Sequence, residues 1–291
     1  MQAGVPSRTA LAAAAHRAAH QLLEQGRIWS DPLALVILGP EAESIARGSA
    51  ERPLAARTRF FIAARSRFAE EALAAAVAGG LGQLVILGAG LDTYAYRGAH
   101  REQLRMFEVD HPATQAWKRE CLAQAGIPVP ELLRYVAVDF QRESLAGRLS
   151  EAGLDSAAPV FFSWLGVVPY LPESAVFSTL EYIAALPGGA QVAFDYGEPS
   201  HTLAPDAREA HAERARRVAA LGEPWISFFE PQPLHTRLTA LGFGHIEDLG
   251  PDAIVGRYLA RARADGARRG GHLLRAVSST DGAHARTIDR R

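Results

Sequence analysis

Residues 83–97 read QLVILGAGLDTYAYR, and a run of four branched apolar residues, 84–87, ends abruptly at Gly88-Ala89-Gly90. A short apolar run bounded by glycines is typical of a buried strand followed by a sharp turn. Because glycine has no Cβ, Gly88 and Gly90 let the backbone turn tightly and approach a ligand, and the next helix offers its N-terminal amides at the same place. The pattern therefore predicts a strand, a turn and a ligand site, with a tight turn that binds nothing as the alternative.

The pattern of the chain changes at this strand. Before it, 7–26 and 57–80 are typical of two long helices, each ending at glycine. After it, short apolar strands alternate with helical segments, which predicts a doubly wound α/β fold with a mostly parallel, seven-stranded sheet and helices on both faces. We predict a helical cap over 1–80, a ligand-binding domain over 81–277 with a helical insert at about 198–231, and a disordered polar tail over 278–291.

Composition narrows the classes of ligand and of protein. The 31 basic and 32 acidic side chains give a net charge of -1, so no long-range field favours nucleic acid or an anionic membrane. The single cysteine, Cys121, excludes an internal disulfide and a cysteine-rich metal site. No signal peptide and no apolar run of ~18 residues is evident. We therefore expect a cytoplasmic protein without a metal that acts on a small molecule.

Acidic residues end the next two predicted strands. Asp110, in FEVD, follows the glycines at the distance of about twenty residues at which an acid reaches ribose hydroxyls, and Asp139 closes VAVDF. Thr93 stands where a dinucleotide loop of the G-x-G-x-x-G type requires glycine. S-adenosylmethionine offers a ribose and an adenine but no phosphate, so it fits this pattern better than NAD. A helix cap at Asp110 and a surface aspartate at Asp139 are the alternatives.

The segments LGAGLDTYAYR, FEVDHPATQAWK and VAVDF resemble the leucine carboxyl methyltransferase-like family of S-adenosylmethionine-dependent methyltransferases, in particular its bacterial O-methyltransferase branch. The likeness extends in order over most of the chain. It implies a class I, Rossmann-like methyltransferase fold, S-adenosyl-L-methionine as the cofactor, and methyl transfer to a carboxylate or hydroxyl oxygen of a small molecule.

The resemblance also implies roles for single residues. An arginine of the N-terminal helices faces the methionyl carboxylate in the family, and Arg65 is the best positional match, although Arg57, Arg59 and Arg67 compete for this role. The glycine loop would line the methionine and ribose, Asp110 would bind the ribose hydroxyls, and Asp139 with the Phe140 backbone would bind adenine. These implied cofactor-binding residues are Arg65, Gly88, Ala89, Gly90, Asp110, Asp139, Phe140 and Ser163.

One departure from the family puts the chemistry in question. Many members carry an acid at the end of the fourth strand, where this chain has Leu165. Ser163 and Trp164 would occupy the space instead, with core packing as the commoner alternative for Trp164. No catalytic residue follows from the sequence. Trp225 and Phe228 in the insert predict either an apolar or aromatic substrate wall or ordinary core packing. A non-catalytic S-adenosylmethionine-binding protein is the alternative function, and a nicotinamide dehydrogenase is a distant third.

Overall fold

The computed structural model describes residues 7–51, 55–139, 143–259 and 270–278. Within these ranges one sheet has the strand order β3-β2-β1-β4-β5-β7-β6. The strands are β1 Gln83–Leu87, β2 Arg105–Asp110, β3 Leu133–Ala137, β4 Val160–Trp164, β5 Ala190–Gly197, β6 Phe243–Leu249 and β7 Gly271–Ser278. The first five strands are parallel, and β7 runs antiparallel to both β5 and β6. The predicted doubly wound, mostly parallel sheet of seven strands is confirmed.

Helices cover both faces of the sheet. Before β1 lie α1 Arg8–Glu24, α2 Leu33–Val36, α3 Ala42–Ala50 and α4 Ala55–Ala78. Between β1 and β5 lie α5 Tyr94–Arg97, α6 Pro112–Gln124, α7 Leu145–Glu151 and α8 Glu173–Ala184. After β5 lie α9 Pro205–Ala220, α10 Pro231–Leu241 and α11 Pro251–Tyr258. No helix in these described ranges combines the length and the apolar character that a membrane crossing requires.

The ends of α1 show how local sequence sets its length. Ser7 precedes the helix, and its hydroxyl accepts a hydrogen bond from the Ala10 amide, which satisfies one of the amides left unpaired at a helix start. Gln25 and Gly26 both have left-handed backbone, with φ of 55° and 64°, and they follow the last helical residue, Glu24. The predicted stop at Gly26 thus lies in the turn that ends the helix.

Strand β1 is buried on both faces, as its unbroken apolar sequence predicts. Val85 and Leu87 face one apolar cluster, and Leu84 and Ile86 face the other, which includes Phe68 of α4. Strand order reverses at β1, because the chain continues to β2 on one side and later adds β4 on the other. Ligands of doubly wound sheets bind at such a reversal, outside the carboxyl ends of the strands. The fold therefore places the candidate ligand site at the loops after β1, β2 and β4.

Two sequence predictions concern residues beyond the described ranges. The predicted tail lies there from residue 279 onward, since β7 ends at Ser278, and so does Phe140 of the implied cofactor site. The predicted insert at about 198–231 contains a 3₁₀ helix, Ser200–Thr202, and α9.

Candidate functional site

The loop after β1 requires glycine at two positions. Gly88 and Gly90 have φ values of 65° and 46°, in the left-handed region that strains other residues. The amides of Gly88 and Ala89 both donate to the Val109 carbonyl of β2, at 2.8 and 3.1 Å. A Cβ on Gly88 would overlap Val167 Cγ2. The loop is thus folded tightly against the ends of β2 and of the segment that follows β4.

Asp110 is joined to this loop. One carboxylate oxygen accepts a hydrogen bond from the Gly90 amide at 2.5 Å, and the other accepts from the His111 amide at 2.6 Å. Burial raises the pKa of Asp110, and the two backbone donors oppose that rise. The helix that follows has its own cap, because His111 Nδ1 accepts from the Ala113 amide at 3.2 Å. Capping of α6 therefore does not account for Asp110.

Asp139 lies at the same edge of the sheet. Ala137 pairs with Asp110 in the parallel register of β2 and β3, and the Val138 amide donates to the Asp110 carbonyl at 2.9 Å. Asp139 follows directly and is half-buried. Its amide donates to Glu143 at 2.9 Å. The two predicted acids thus end adjacent strands beside the glycine loop.

The three residues at the end of β4, Ser163, Trp164 and Leu165, have different environments. Ser163 is half-buried and pairs with Ile86 of β1, so it lies at the strand reversal. Trp164 is 2% exposed and packs against Phe194 with ring centroids 6.1 Å apart, which makes it part of the core. Leu165 packs on the apolar cluster that contains Ile86.

A carboxylate reaches this strand end from β5. Asp195 Oδ1 accepts from the Gly166 amide at 2.5 Å, and Asp195 Oδ2 lies 3.2 Å from Arg65 Nη1. A Cβ on Gly166 would come within 2.6 Å of the Arg65 guanidinium, so glycine allows the arginine to lie flat on the backbone. The sequence places Asp195 at a strand end, like Asp110 and Asp139, but assigns it no role, because an aspartate there is more often a cap or a solvated loop residue. Its partners Arg65 and Gly166 are what the sequence pattern does not show.

The four arginines that are candidates for binding the methionyl carboxylate differ in their surroundings. Arg59 Nη2 pairs with Glu24 at 2.6 Å, and Arg67 Nε pairs with Glu71 at 2.7 Å. Arg57 is exposed and has no carboxylate partner among the described residues. Arg65 differs from these three because its carboxylate partner lies at the carboxyl edge of the sheet.

A buried polar cluster fastens the N-terminal helices to the loop after β1. Asp31, which is fully buried, accepts from Thr93 Oγ1 at 2.8 Å and lies 3.2 Å from Arg97 Nε. Arg17, on α1, donates to the Leu91 carbonyl. Because charged groups this deeply buried are stable only when paired, the cluster fixes α1 over the loop.

The start of α1 also contacts the insert. Ser7 and Thr9 donate their hydroxyl hydrogens to the Glu223 carboxylate, and the Arg8 amide donates to Glu223 Oε1 at 2.9 Å. A carboxylate suits this place because a helix start carries unpaired amides and a partial positive charge. A Cβ on Gly90 would lie 3.1 Å from Ala10 Cβ, so the first turn of α1 covers the glycine loop.

Residues 225–229 form an aromatic segment across the ends of β4 and β5. The Ile226 amide donates to the Pro169 carbonyl at 2.7 Å, and the Phe229 amide donates to the Gly197 carbonyl at 2.9 Å. The side chain of Trp225 lies near the Tyr170 hydroxyl, and burial raises the pKa of Tyr170. The insert therefore covers the carboxyl edge of the sheet beside Arg65.

A family model described as leucine carboxyl methyltransferase matches residues 10–184 of this chain. The chain is 34% identical over 193 residues to the Bacillus subtilis (strain 168) protein named "Putative S-adenosyl-L-methionine-dependent methyltransferase YktD", covering 66% of this chain and 63% of that protein. It is 36% identical over 171 residues to Rv0281 of Mycobacterium tuberculosis (strain ATCC 25618 / H37Rv), which has the same descriptive name, covering 58% of this chain and 55% of that protein. The matches thus span less than two thirds of these relatives.

One solved structure shows the same fold. A Thermobifida fusca YX protein whose crystal structure is described as that of "a putative methyltransferase" has a TM-score of 0.51 and 18% sequence identity, covering 96% of this chain and 97% of that one. At this identity the likeness concerns the fold alone.

Proposed function

The chain belongs to the leucine carboxyl methyltransferase family, and on that premise we propose that it transfers a methyl group from S-adenosyl-L-methionine to a carboxylate or hydroxyl oxygen of a small molecule. The observation that carries the proposal is the hydrogen bond from the Gly90 amide to Asp110, which joins the glycine loop and the acid of β2 at the strand reversal. Its curated relatives bear the name of S-adenosyl-L-methionine-dependent methyltransferases.

The residues at this edge fit a nucleoside without phosphate. The side chains of the glycine loop, Gly88, Ala89 and Gly90, are absent or small. The methionine and ribose portions of the cofactor can therefore approach the loop backbone closely. Asp110 and Asp139 are acceptors for ribose hydroxyls and for the adenine amine, respectively, with Phe140 beside Asp139 in the sequence. Thr93, which stands where a dinucleotide loop requires its third glycine, disfavours NAD.

Arg65 and Ser163 would complete the cofactor site. The Arg65 guanidinium lies at the ends of β4 and β5 and carries the positive charge that a methionyl carboxylate needs. Asp195 orients this guanidinium and neutralises part of its charge, and its carboxylate would also attract the methionyl ammonium group. Ser163 lies at the strand reversal next to β1, where its hydroxyl can form a hydrogen bond with the methionyl carboxylate or with the methionyl ammonium group.

The cofactor, when bound, supplies an activated methyl group with its own leaving group. The work left to the protein is alignment of the acceptor oxygen with that methyl group and exclusion of water. The residues 225–229 and the first turn of α1 cover the site and serve the second purpose. A carboxylate acceptor is already ionised near neutral pH, whereas a hydroxyl acceptor must lose its proton to a base.

Calorimetric titration of S-adenosylhomocysteine into the full chain tests the cofactor assignment. We expect saturable binding that is lost in the double variant D110A/D139A and is unchanged in E102Q, which alters an exposed acid before β2 at the opposite edge of the sheet. Unchanged affinity in the double variant would contradict the assignment.

Methyl transfer from isotope-labelled S-adenosyl-L-methionine to a panel of carboxylic acids and phenols tests the activity. Label in an ester or an ether supports the proposal. Cofactor binding without transfer to any member of the panel would favour a non-catalytic binding protein, which the apolar Leu165 in place of an acid also favours.

A further inference from the structure

His211, on α9, is a half-buried residue whose ring turns one nitrogen inward. Within the described ranges Nε2 is buried and has no hydrogen-bond partner, and it is the only one of the two ring nitrogens in this state. A buried polar atom is unfavourable unless it is hydrogen-bonded. This nitrogen therefore indicates a hydrogen-bonding partner other than the described residues.

The histidine is in the form that can accept a proton. Burial lowers the pKa of His211 below its ordinary value of 6.5, and the positive charge of Arg214 adds to that effect. No carboxylate of the described chain lies within ion-pair distance of the ring to oppose them. The imidazole is therefore neutral near neutral pH, and a neutral imidazole carries a lone pair on one of its nitrogens.

Other histidines near the carboxyl edge of the sheet are already engaged. His111 caps α6 through Nδ1, and His272 contacts a carboxylate with each of its ring nitrogens. His201 is exposed and lies 3.5 Å from a glutamate. None of these three has a buried ring nitrogen without a partner in the described part of the chain. His211 differs from them in this respect.

Two aromatic rings flank His211. Its ring centroid is 5.6 Å from that of Trp225 and 5.1 Å from that of Phe228, with interplanar angles of 48° and 59°. Aromatic rings attract further rings in such tilted contacts, at centroid distances of about 4.5–7 Å. The surroundings of the unpaired nitrogen therefore favour a ligand with an aromatic ring.

Phe228 connects this group of rings to the strand ends. A Cβ on Gly197, the last residue of β5, would be 3.5 Å from Phe228 Cδ1. Because side chains alternate along a strand, Gly197 and Asp195 present the same face of β5, and Asp195 lies 3.2 Å from Arg65 on that face. His211 is thus separated by a single ring from the face of the sheet that carries Arg65.

We propose that His211 Nε2 removes the hydroxyl proton of the methyl acceptor, a phenol whose ring packs against Trp225 and Phe228. The inference rests on the proposed function, because it treats the region beside Arg65 as the acceptor site. It goes further by choosing a hydroxyl over a carboxylate as the acceptor, since an ionised carboxylate has no proton to give to this nitrogen.

The proposed step moves one proton from oxygen to nitrogen. The O–H bond of the phenol breaks, its proton bonds to the lone pair of Nε2, and its electron pair stays on the oxygen. The oxygen uses an electron pair to bond to the methyl carbon, and the carbon–sulfur pair remains on the sulfur of S-adenosylhomocysteine. The imidazolium then returns its proton to water, which restores the neutral ring.

Nitrogen NMR of histidine-labelled protein saturated with S-adenosylhomocysteine tests the contact without turnover. The Nε2 resonance of His211 is assigned by its absence from H211Q. Phenol should shift this resonance in a saturable manner, because its O–H donates a hydrogen bond to the nitrogen. Anisole, the methyl ether of phenol, has no proton to donate and should leave the resonance unchanged. H245Q is the matched control, since His245 is exposed on β6, and the His211 resonance should respond to phenol in it as in the wild type.

The pH dependence of methyl transfer to phenol tests the role as a base. We expect kcat/KM to fall about a hundredfold or more in H211Q and to be unchanged in H245Q. Above pH 6.5 the wild-type value should be constant, because the ring is already neutral. In H211Q it should keep rising toward about pH 10, where phenol ionises without help.

Affinity for S-adenosylhomocysteine separates this role from folding. No described residue of α9 is fully buried, so H211Q should fold and bind S-adenosylhomocysteine as the wild type does. The proposal is overturned if phenol leaves the His211 resonance unmoved, if H211Q methylates phenol as fast as the wild type, or if the wild type methylates carboxylates alone. A loss of S-adenosylhomocysteine affinity in H211Q also overturns it, since the histidine would then support the cofactor site. If the wild type does not bind S-adenosylhomocysteine, the proposed function itself fails.

Discussion

Asp195 at the end of β5 pairs with Arg65 of α4 at 3.2 Å and, through its other oxygen, accepts the Gly166 amide at 2.5 Å. The Asp195 side chain is 6% exposed and that of Arg65 is 15% exposed, so water screens neither group well. One aspartate thus positions both the arginine beside the strand reversal and the turn after β4. It supplies a carboxylate near the position where the family often has an acid and this chain has Leu165.

Replacing Asp195 by alanine should destabilise the protein by about 3 kcal/mol, because the Arg65 cation is left buried and unpaired. The double variant D195A/R65M should recover part of this loss, since it removes the isolated charge. Urea unfolding of the wild type, both single variants and the double variant measures the coupling. Additive losses in the double variant would show that the two side chains do not depend on each other.

Glu108 and Lys118 form a second pair, with Lys118 Nζ 2.7 Å from Glu108 Oε2 and each side chain 1% exposed. Lys118 is the only lysine of the chain. We expect K118M to destabilise the protein by about 3–5 kcal/mol, because it leaves an acid buried without a counter-charge. The double variant E108L/K118M should regain most of that stability in urea unfolding. A loss below about 1 kcal/mol in K118M would contradict the buried pair.

The same glutamate predicts a dependence of stability on pH. Burial raises the pKa of Glu108 from 4.5 to about 7, and Lys118 opposes that rise. The folded state therefore holds this proton more tightly than the unfolded state, so the contribution of Glu108 to stability falls as pH rises from about 4.5 to 7. The slope of the unfolding free energy against pH in this interval should be less negative in E108Q. An unchanged slope would be inconsistent with the raised pKa.

His272 and Asp248 predict a dependence at higher pH. Nδ1 of His272 lies 2.8 Å from Asp248 Oδ1, and Nε2 lies 3.1 Å from Glu198 Oε1. Burial lowers the pKa of His272, but these two carboxylates outweigh it and leave the pKa raised. The stabilisation is therefore complete below the ordinary value of 6.5 and is lost as pH rises through the raised value. In H272Q the loss of stability as pH rises above 6.5 should be smaller than in the wild type.

Gly88 provides a test of the glycine loop. We expect G88A to destabilise the protein by about 1–3 kcal/mol, because alanine is strained at a φ of 65° and its Cβ overlaps Val167. S-adenosylhomocysteine affinity should fall with it, and V167A should restore part of the stability. G82A is the matched control, since a Cβ at Gly82 meets nothing within 4 Å. Equal stability of G88A and G82A would contradict the claim that the backbone and Val167 require glycine at position 88.

The sheet was predictable from the sequence because strands buried on both faces have continuous apolar sequences. Leu84 to Leu87 are all at most 5% exposed, and a short apolar run between glycines is typical of a strand in a doubly covered sheet. The acids Asp110 and Asp139 were predictable as neighbours for the same reason, since parallel strands deliver their carboxyl ends to one edge. Their predicted contacts with a cofactor remain predictions.

Pairs of side chains from distant parts of the chain were not predictable in this way. Arg65 and Asp195 are 130 positions apart, and the four arginines near residue 60 are equivalent by sequence pattern. Their partners depend on the rotation of α4 about its axis, which is set by packing.

The contact between Glu223 and the start of α1 has a kinetic consequence. Glu223 is two residues from Trp225, so a movement of the segment 225–229 would also release the first turn of α1 from the glycine loop. We expect a nucleoside bound at this loop to enter and leave only when the contact between Glu223 and α1 opens.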